Sequence, residues 1–171
     1  MNAEYATLTG TGDEELKLIL HGPDISPDDP SFQLWDITAS VNLRACYPSF
    51  SHEVKTPIYC GLELSGLKNL IDGDVESRFV FDTLSLRFEI YEHTLNNGPR
   101  FGYIVDGLVY TVGLVDPQAW SPSNVADELL RCDSRTGRAM FHFAFVVEYE
   151  PLKQFYVDLL GCMKSCGLTG G

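Results

Sequence analysis

From Ala139 to Met163 the chain reads AMFHFAFVVEYEPLKQFYVDLLGCM, and the rhythm of its apolar residues changes once. Up to Val147 the side chains alternate, with Met140, His142, Ala144 and Val146 on one side and Phe141, Phe143, Phe145 and Val147 on the other. That is the two-residue period of a strand. Both sets are largely apolar, so this strand is expected in the interior of a sheet, with His142 as a hydrogen-bonded core imidazole. From Pro151 onward, Leu152, Phe155, Tyr156, Leu159, Leu160 and Met163 recur at helical spacing. Pro151 suits a first turn, and Glu150 suits the positive end of the helix dipole. A buried strand that turns into a helix covering the sheet sets the architecture for the rest of the chain.

Upstream, LWDITASVNLR places Trp35, Ile37, Ala39, Val41 and Leu43 on one face and polar residues on the other, as in a strand with one wet side. FSHEVKTPIYC follows as a partner, and Pro57 puts it at an edge or a strand end. LELSGLKNLID carries Leu62, Leu67, Leu70 and Ile71 at helical spacings and predicts a short amphipathic helix in spite of Gly66. RFVFDTL, SLRFEIYEHT and GYIVDGLVYTVGLV return to strands, with NNGPR the plainest turn between them. ELKLIL, from Glu15 to Leu20, predicts a short strand. The prolines and aspartates of HGPDISPDDPSF predict a surface loop after it. In DPQAWSPSNVADELLRCDSRTG, Ser123 is placed to cap a short helix from Asn124 to Arg131. Residues 1–14 read as a loose acidic arm, and residues 164–171, ending in GLTGG, as a flexible tail. The reading is α+β: one domain over residues 1–171, a mainly antiparallel sheet of about six or seven strands, and two principal helices on one face.

A chain of 171 residues can bury a core without disulfides or a structural metal. Its 24 Asp and Glu against 12 Lys and Arg give a net charge of −12, which repels nucleic-acid phosphates and anionic membrane surfaces. No direct nucleic-acid or membrane contact is expected. Cys46, Cys60, Cys132, Cys162 and Cys166 form an odd set without a CxxC pair, and the N-terminus is polar and acidic rather than a secretory leader. Reduced thiols in a cytoplasmic protein are the expectation.

Motifs that would carry chemistry are incomplete. GTGDEE at Gly10 contains a GxG but follows no predicted strand, and it places three carboxylates where a phosphate would sit. DGDVESRFVFDT at Asp72 starts like a calcium loop, yet Ser77 replaces the glycine of the sharp turn and Thr83 the bidentate glutamate. It reads as a helix-to-strand turn. His21, His52, His93 and His142 are scattered, no serine sits in GxSxG, and Glu89, Asp106, Glu148 and Glu150 offer no preferred carboxylate pair. The expectation is a non-enzyme with no catalytic residue, no metal and no cofactor.

Charge position is the stronger signal. Residues 1–36 hold eight acids and a single base, Lys17. Carboxylates at Asp24, Asp28 and Asp29, with Asp13 and Glu14, are the candidate contacts to a basic protein. Trp120, flanked by Pro117 and Pro122, is a candidate aromatic anchor in a long connection. Two other classes compete. A small-molecule binding protein or enzyme would have a pocket between sheet and helices, lined by His142 and Glu148. An assembly subunit would self-associate, for instance as a homodimer.

The order of these features resembles the WapI-type family of small bacterial immunity proteins and its relatives, over roughly Trp35 to Met163. The likeness is carried by the strand opening LWDITASVNL, a Phe50 strand followed by the short leucine helix LELSGLKNLI, the pair SLRFEIYEHT and GYIVDGLVYTVG, and the closing run FHFAFVVEYEPLKQFYVDLL. The resemblance implies a non-enzymatic cytosolic protein that binds and neutralises a cognate toxin. The acidic balance fits a toxin that is a basic nuclease.

Overall fold

The computed structural model describes residues 5–25, 33–43, 50–58, 63–82, 86–93, 102–110, 130–133 and 138–166. Strands β1 (Tyr5–Thr9), β2 (Glu14–Ile25), β3 (Gln33–Leu43) and β4 (Phe50–Ile58) form an antiparallel sheet, sheet A, in that order. Among the side chains described, its inner face is aliphatic: Ala6 and Leu8, Leu16, Leu18 and Leu20, then Ile37, Ala39 and Val41 are buried. Period-two alternation leaves Thr7, Lys17, Ile19, Thr38, Ser40 and Asn42 half-buried on the other side. β4 is an edge strand with Pro57 near its end, as its sequence predicts, because an edge tolerates a missing donor.

Two expectations for this end of the chain are corrected. Residues 5–9 are not part of a loose arm; they pair with β2 from Tyr5 opposite Ile19 to Thr9 opposite Glu15. Burial of Ala6 and Leu8 offsets the entropy of ordering so short a segment. The strand expected to end at Leu20 continues to Ile25, through the first residues of the proline-rich stretch. A register shift between Leu20 and Pro23 makes this possible, since a bulge lets the strand take in a proline without losing its partner.

The chain then forms helix α1 (Ser65–Ile71) and enters sheet B, made of β5 (Arg78–Asp82), β6 (Leu86–Glu92), β7 (Tyr103–Tyr110), β8 (Leu130–Asp133) and β9 (Arg138–Val147). Their antiparallel order is β5-β6-β7-β9-β8, so β9 is interior, as its two apolar sides suggest. Sheet B buries aromatic rings: Phe79, Phe81, Phe88, Tyr103, Phe143 and Phe145 point inward with Leu86, Ile90, Val105 and Val147. Phe81 stacks on Phe88 at 5.0 Å between centroids. Gly107 lies opposite Phe143, and a Cβ there would run into the Phe143 ring and the Arg87 carbonyl. Arg131, expected to close a helix starting at Asn124, belongs instead to β8, and residues 124–129 lie outside the described residues.

Helix α2 (Tyr149–Ser165) follows β9 after one residue and buries Leu152, Phe155, Leu159 and Met163 of the stripe its spacing predicts, with Cys162 beside them, while Tyr156 and Leu160 are partly buried. Lys164 and Ser165, expected in a flexible tail, complete this helix, and residues 167–171 lie outside the described residues. α2 packs on β1 and β2, α1 packs on β5 and β6, and the helices touch each other. One buried apolar cluster therefore runs through both sheets and both helices. α1 comes close because Gly66 has no side chain: a Cβ there would collide with the Arg78 carbonyl. The α+β class, the antiparallel pairing and the two helices are as the sequence predicts. The described strands number nine and fall into two sheets rather than one, since α1 intervenes between β4 and β5 and turns the chain away from sheet A.

Candidate functional site

The described acidic residues among those singled out by sequence lie at two separate places. Asp13 and Glu14 lie at the tip of the β1–β2 hairpin, and Asp24 lies near the far end of β2, opposite Leu34. At about 3.3 Å per residue, the strand between them puts them on the order of 30 Å apart. Asp28, Asp29 and Trp120 lie outside the described residues.

The hairpin tip is a built turn rather than a mobile loop. The Gly10 amide donates to the Glu14 carbonyl at 2.8 Å, and the Gly12 amide donates to Glu14 Oε2 at 2.9 Å. Glu14 is thereby committed to the turn. Asp13 takes a positive φ of 62°, which a short polar side chain tolerates better than most, and stays exposed. The Thr11 amide donates to the Val146 carbonyl at 2.9 Å, and Gly10 sits against the Phe145 ring. The tip of sheet A is therefore pinned to the end of β9 in sheet B, and the Asp13 carboxylate is presented from a fixed backbone.

Among the described residues a polar cluster lies elsewhere, on the outer face of sheet B. Arg87, Glu89, Asp106, Gly107, Leu108 and His142 line an open groove of about 270 Å³. Register brings them together: Glu89 is opposite Asp106, and Leu108 stands between Arg87 and His142. Two like charges facing across a strand pair are unfavourable, and the neighbours offset this. Arg87 and Arg78 each reach one oxygen of Glu89, at 3.3 and 3.4 Å, and Asp106 Oδ1 is 2.5 Å from His142 Nε2. The Arg78 guanidinium also lies over the Tyr91 ring, 5.2 Å from its centroid. His142 and Asp106 side chains are 47% and 40% exposed, so water screens this pair.

The expectation of a core imidazole at His142 is thus corrected. The histidine is hydrogen-bonded, but the alternation of β9 turns Phe143 and Phe145 inward and His142 outward. Glu148, expected beside His142 in a pocket between sheet and helices, is an exposed residue at the start of α2. The pairing of His142 with Asp106 links residues 36 apart and depends on the β7–β9 register. Alternation alone does not mark this pair, since His142 shares its side of β9 with Met140, Ala144 and Val146, and Asp106 its side of β7 with Ile104 and Leu108.

The remaining motifs have structural uses. Asp74 accepts from the Ser77 hydroxyl at 2.7 Å and from the Glu76 amide at 3.1 Å, which makes the stretch after α1 a helix-to-strand turn. The Ser77 hydroxyl first, and the Glu76 amide next, hold the Asp74 carboxyl below its ordinary range. Lys68 pairs with Asp72 one turn along α1, which pushes the ammonium up. Cys162 is buried, and desolvation pushes its thiol up to about 11, with Cys166 and Asp158 adding to the effect. Cys166 donates its thiol to the Leu20 carbonyl at 3.5 Å. Among the described residues no group of three or more His, Cys, Asp or Glu is arranged to hold a metal ion, and no helix is long and apolar enough to cross a membrane. No protein-family model, no curated protein and no solved structure matches the chain.

Proposed function

We propose that this chain is a cytoplasmic, non-enzymatic protein-binding domain that neutralises a basic partner, in the manner implied by its resemblance to WapI-type bacterial immunity proteins. Its carboxylates would stand in for phosphates at the cationic cleft of a cognate toxin and occlude it. The observation that carries this reading is the charge: −12 overall, with eight acids and one base in the first 36 residues. The fixed hairpin tip supports it further, because a carboxylate held by a built turn loses less freedom on binding than one on a loose arm.

The test is affinity capture with the tagged chain, followed by titration of the recovered basic protein at low and high salt. Binding should weaken steeply with salt. Neutralising Asp24, Asp28 and Asp29 together to Asn should weaken it at least about tenfold, and Asp13→Asn, which keeps the turn's backbone preference, should weaken it by less. Unchanged affinity in the triple variant would remove the acidic edge from the mechanism.

A second reading rests on one observation, the His142–Asp106 pair beside Arg87 and Glu89 in an open groove. It is a small-molecule or peptide-terminus site with an oriented imidazole. A compound that raises the melting temperature of the wild type but not of His142→Ala would favour it over protein neutralisation.

A further inference from the structure

β5 is one of the two terminal strands of sheet B, and among the described residues it pairs with β6 alone. Its sequence is Arg78-Phe79-Val80-Phe81-Asp82, with Phe79 and Phe81 buried and Arg78, Val80 and Asp82 exposed. Val80, at the centre, is 47% exposed. This five-residue pattern is its own complement. If a second strand of the same sequence lies antiparallel to it with Val80 on the two-fold axis, Val80 faces Val80, Arg78 faces Asp82, and Asp82 faces Arg78. On the inner side, Phe79 faces Phe81. Opposite charges and paired apolar residues meet at every position, which is the arrangement favoured for directly opposed residues in antiparallel sheets.

We propose that the outer edge of β5 is a self-docking strand and that its occupant is β5 of a second copy of this chain, which joins two copies of sheet B across an isologous two-fold contact. Charge complementarity selects the second copy: a strand of one sign would repel either Arg78 or Asp82. The Arg78 side chain, 61% exposed, already leans toward Glu89 at a long 3.4 Å, so Asp82 of the second copy competes with a weak partner. α1 touches β5 through Gly66 at the Arg78 carbonyl. The contact therefore rests on Val80 and on the reach of the outer-face side chains rather than on that carbonyl. Two five-residue edges bury an area in the transient range, below ~1,200 Å², and each copy carries −12, so the dimer is weak and depends on concentration.

The test is sedimentation velocity of the full chain at about 0.15 M salt, where repulsion is screened beyond ~8 Å, from micromolar to about 1 mM protein. The average mass should rise toward that of two chains. Val80→Lys, which places like charges on the axis, should weaken association at least about tenfold. Arg78→Asp and Asp82→Arg should each do the same alone, and an equimolar mixture of these two variants should associate again, since each then offers what the other lacks. Circular dichroism of each variant checks that it is folded. A monomer at every concentration overturns the proposal, as does a dimer indifferent to Val80→Lys or a mixture that associates no better than its components.

Discussion

Sheet A and sheet B are both half-buried antiparallel sheets, yet the side chains described in each bury different materials. Sheet A presents Ala6, Ala39, Val41 and a set of leucines, and α2 lies directly on β1 and β2. Sheet B presents rings that contact one another, with Phe88 5.0 Å from Phe81 and 5.9 Å from Phe79 between centroids. Small aliphatic residues let a helix approach, whereas rings fill space themselves and tie neighbouring strands together. Removing a ring should therefore cost more than removing a leucine. Phe88→Ala is expected to lose about 4 kcal/mol and Leu18→Ala about 3 kcal/mol, measured by urea unfolding. If Leu18→Ala proves the costlier, the rings of sheet B are not the stronger clamp.

The same contrast can be sharpened with two glycines. Gly107 is tightly enclosed beneath Phe143, so Gly107→Ala should cost about 1–3 kcal/mol through overpacking. Gly161, within α2, has open space where a Cβ would stand, and Gly161→Ala should stabilise by about 0.5–1 kcal/mol. Thermal melts of the two variants should move in opposite directions. A shared direction would mean that the glycines are retained for backbone freedom alone.

How much of this was legible follows from which interactions are local. The period-two patterns of β3, β6 and β9 and the stripe of α2 are carried by neighbours in sequence, and they are found where expected. β1 was not legible, because YATLT has only Ala6 and Leu8 to bury and becomes a strand by pairing with β2. The extension of β2 through Pro23 needed a bulge, which no composition signal announces. Alternation in β9 gave two candidate inner faces; the larger rings of Phe143 and Phe145 took the core and left His142 outside. The polar groove then required the β6–β7–β9 register, which is a property of the folded sheet.

Cys162 lies where α2 closes the core, and its thiol offers a pH test. Its folded value of about 11 stands above the ordinary 9.0, so the native state favours the protonated thiol. This contribution is complete below pH 9 and is lost as the pH rises through about 11. Wild-type stability should fall in that window, and Cys162→Ala should fall less. The difference between the two curves isolates the thiol from Lys68, whose ammonium is also pushed up. Parallel curves would show that Cys162 stays protonated without cost or that its surroundings admit water.

The smallest effect is expected on the outer face of sheet B. The His142–Asp106 pair is short, at 2.5 Å, but exposed pairs lose most of their attraction to water and to side-chain entropy. Asp106→Asn also removes a like charge facing Glu89, which offsets part of what is lost. A double-mutant cycle of Asp106→Asn with His142→Gln should give a coupling of no more than about 1 kcal/mol. A coupling above about 2 kcal/mol would make the pair a clamp between β7 and β9, and the groove would then be part of what holds sheet B together. A small coupling leaves the arrangement without a structural explanation, since two opposed carboxylates with Arg78, Arg87 and His142 drawn around them are a costly way to decorate a strand pair. The polar groups of sheet B would then stand as a recognition surface, in contrast to the polar outer face of sheet A, where His21 and Thr38 pair across strands and Lys17 rests on Tyr5.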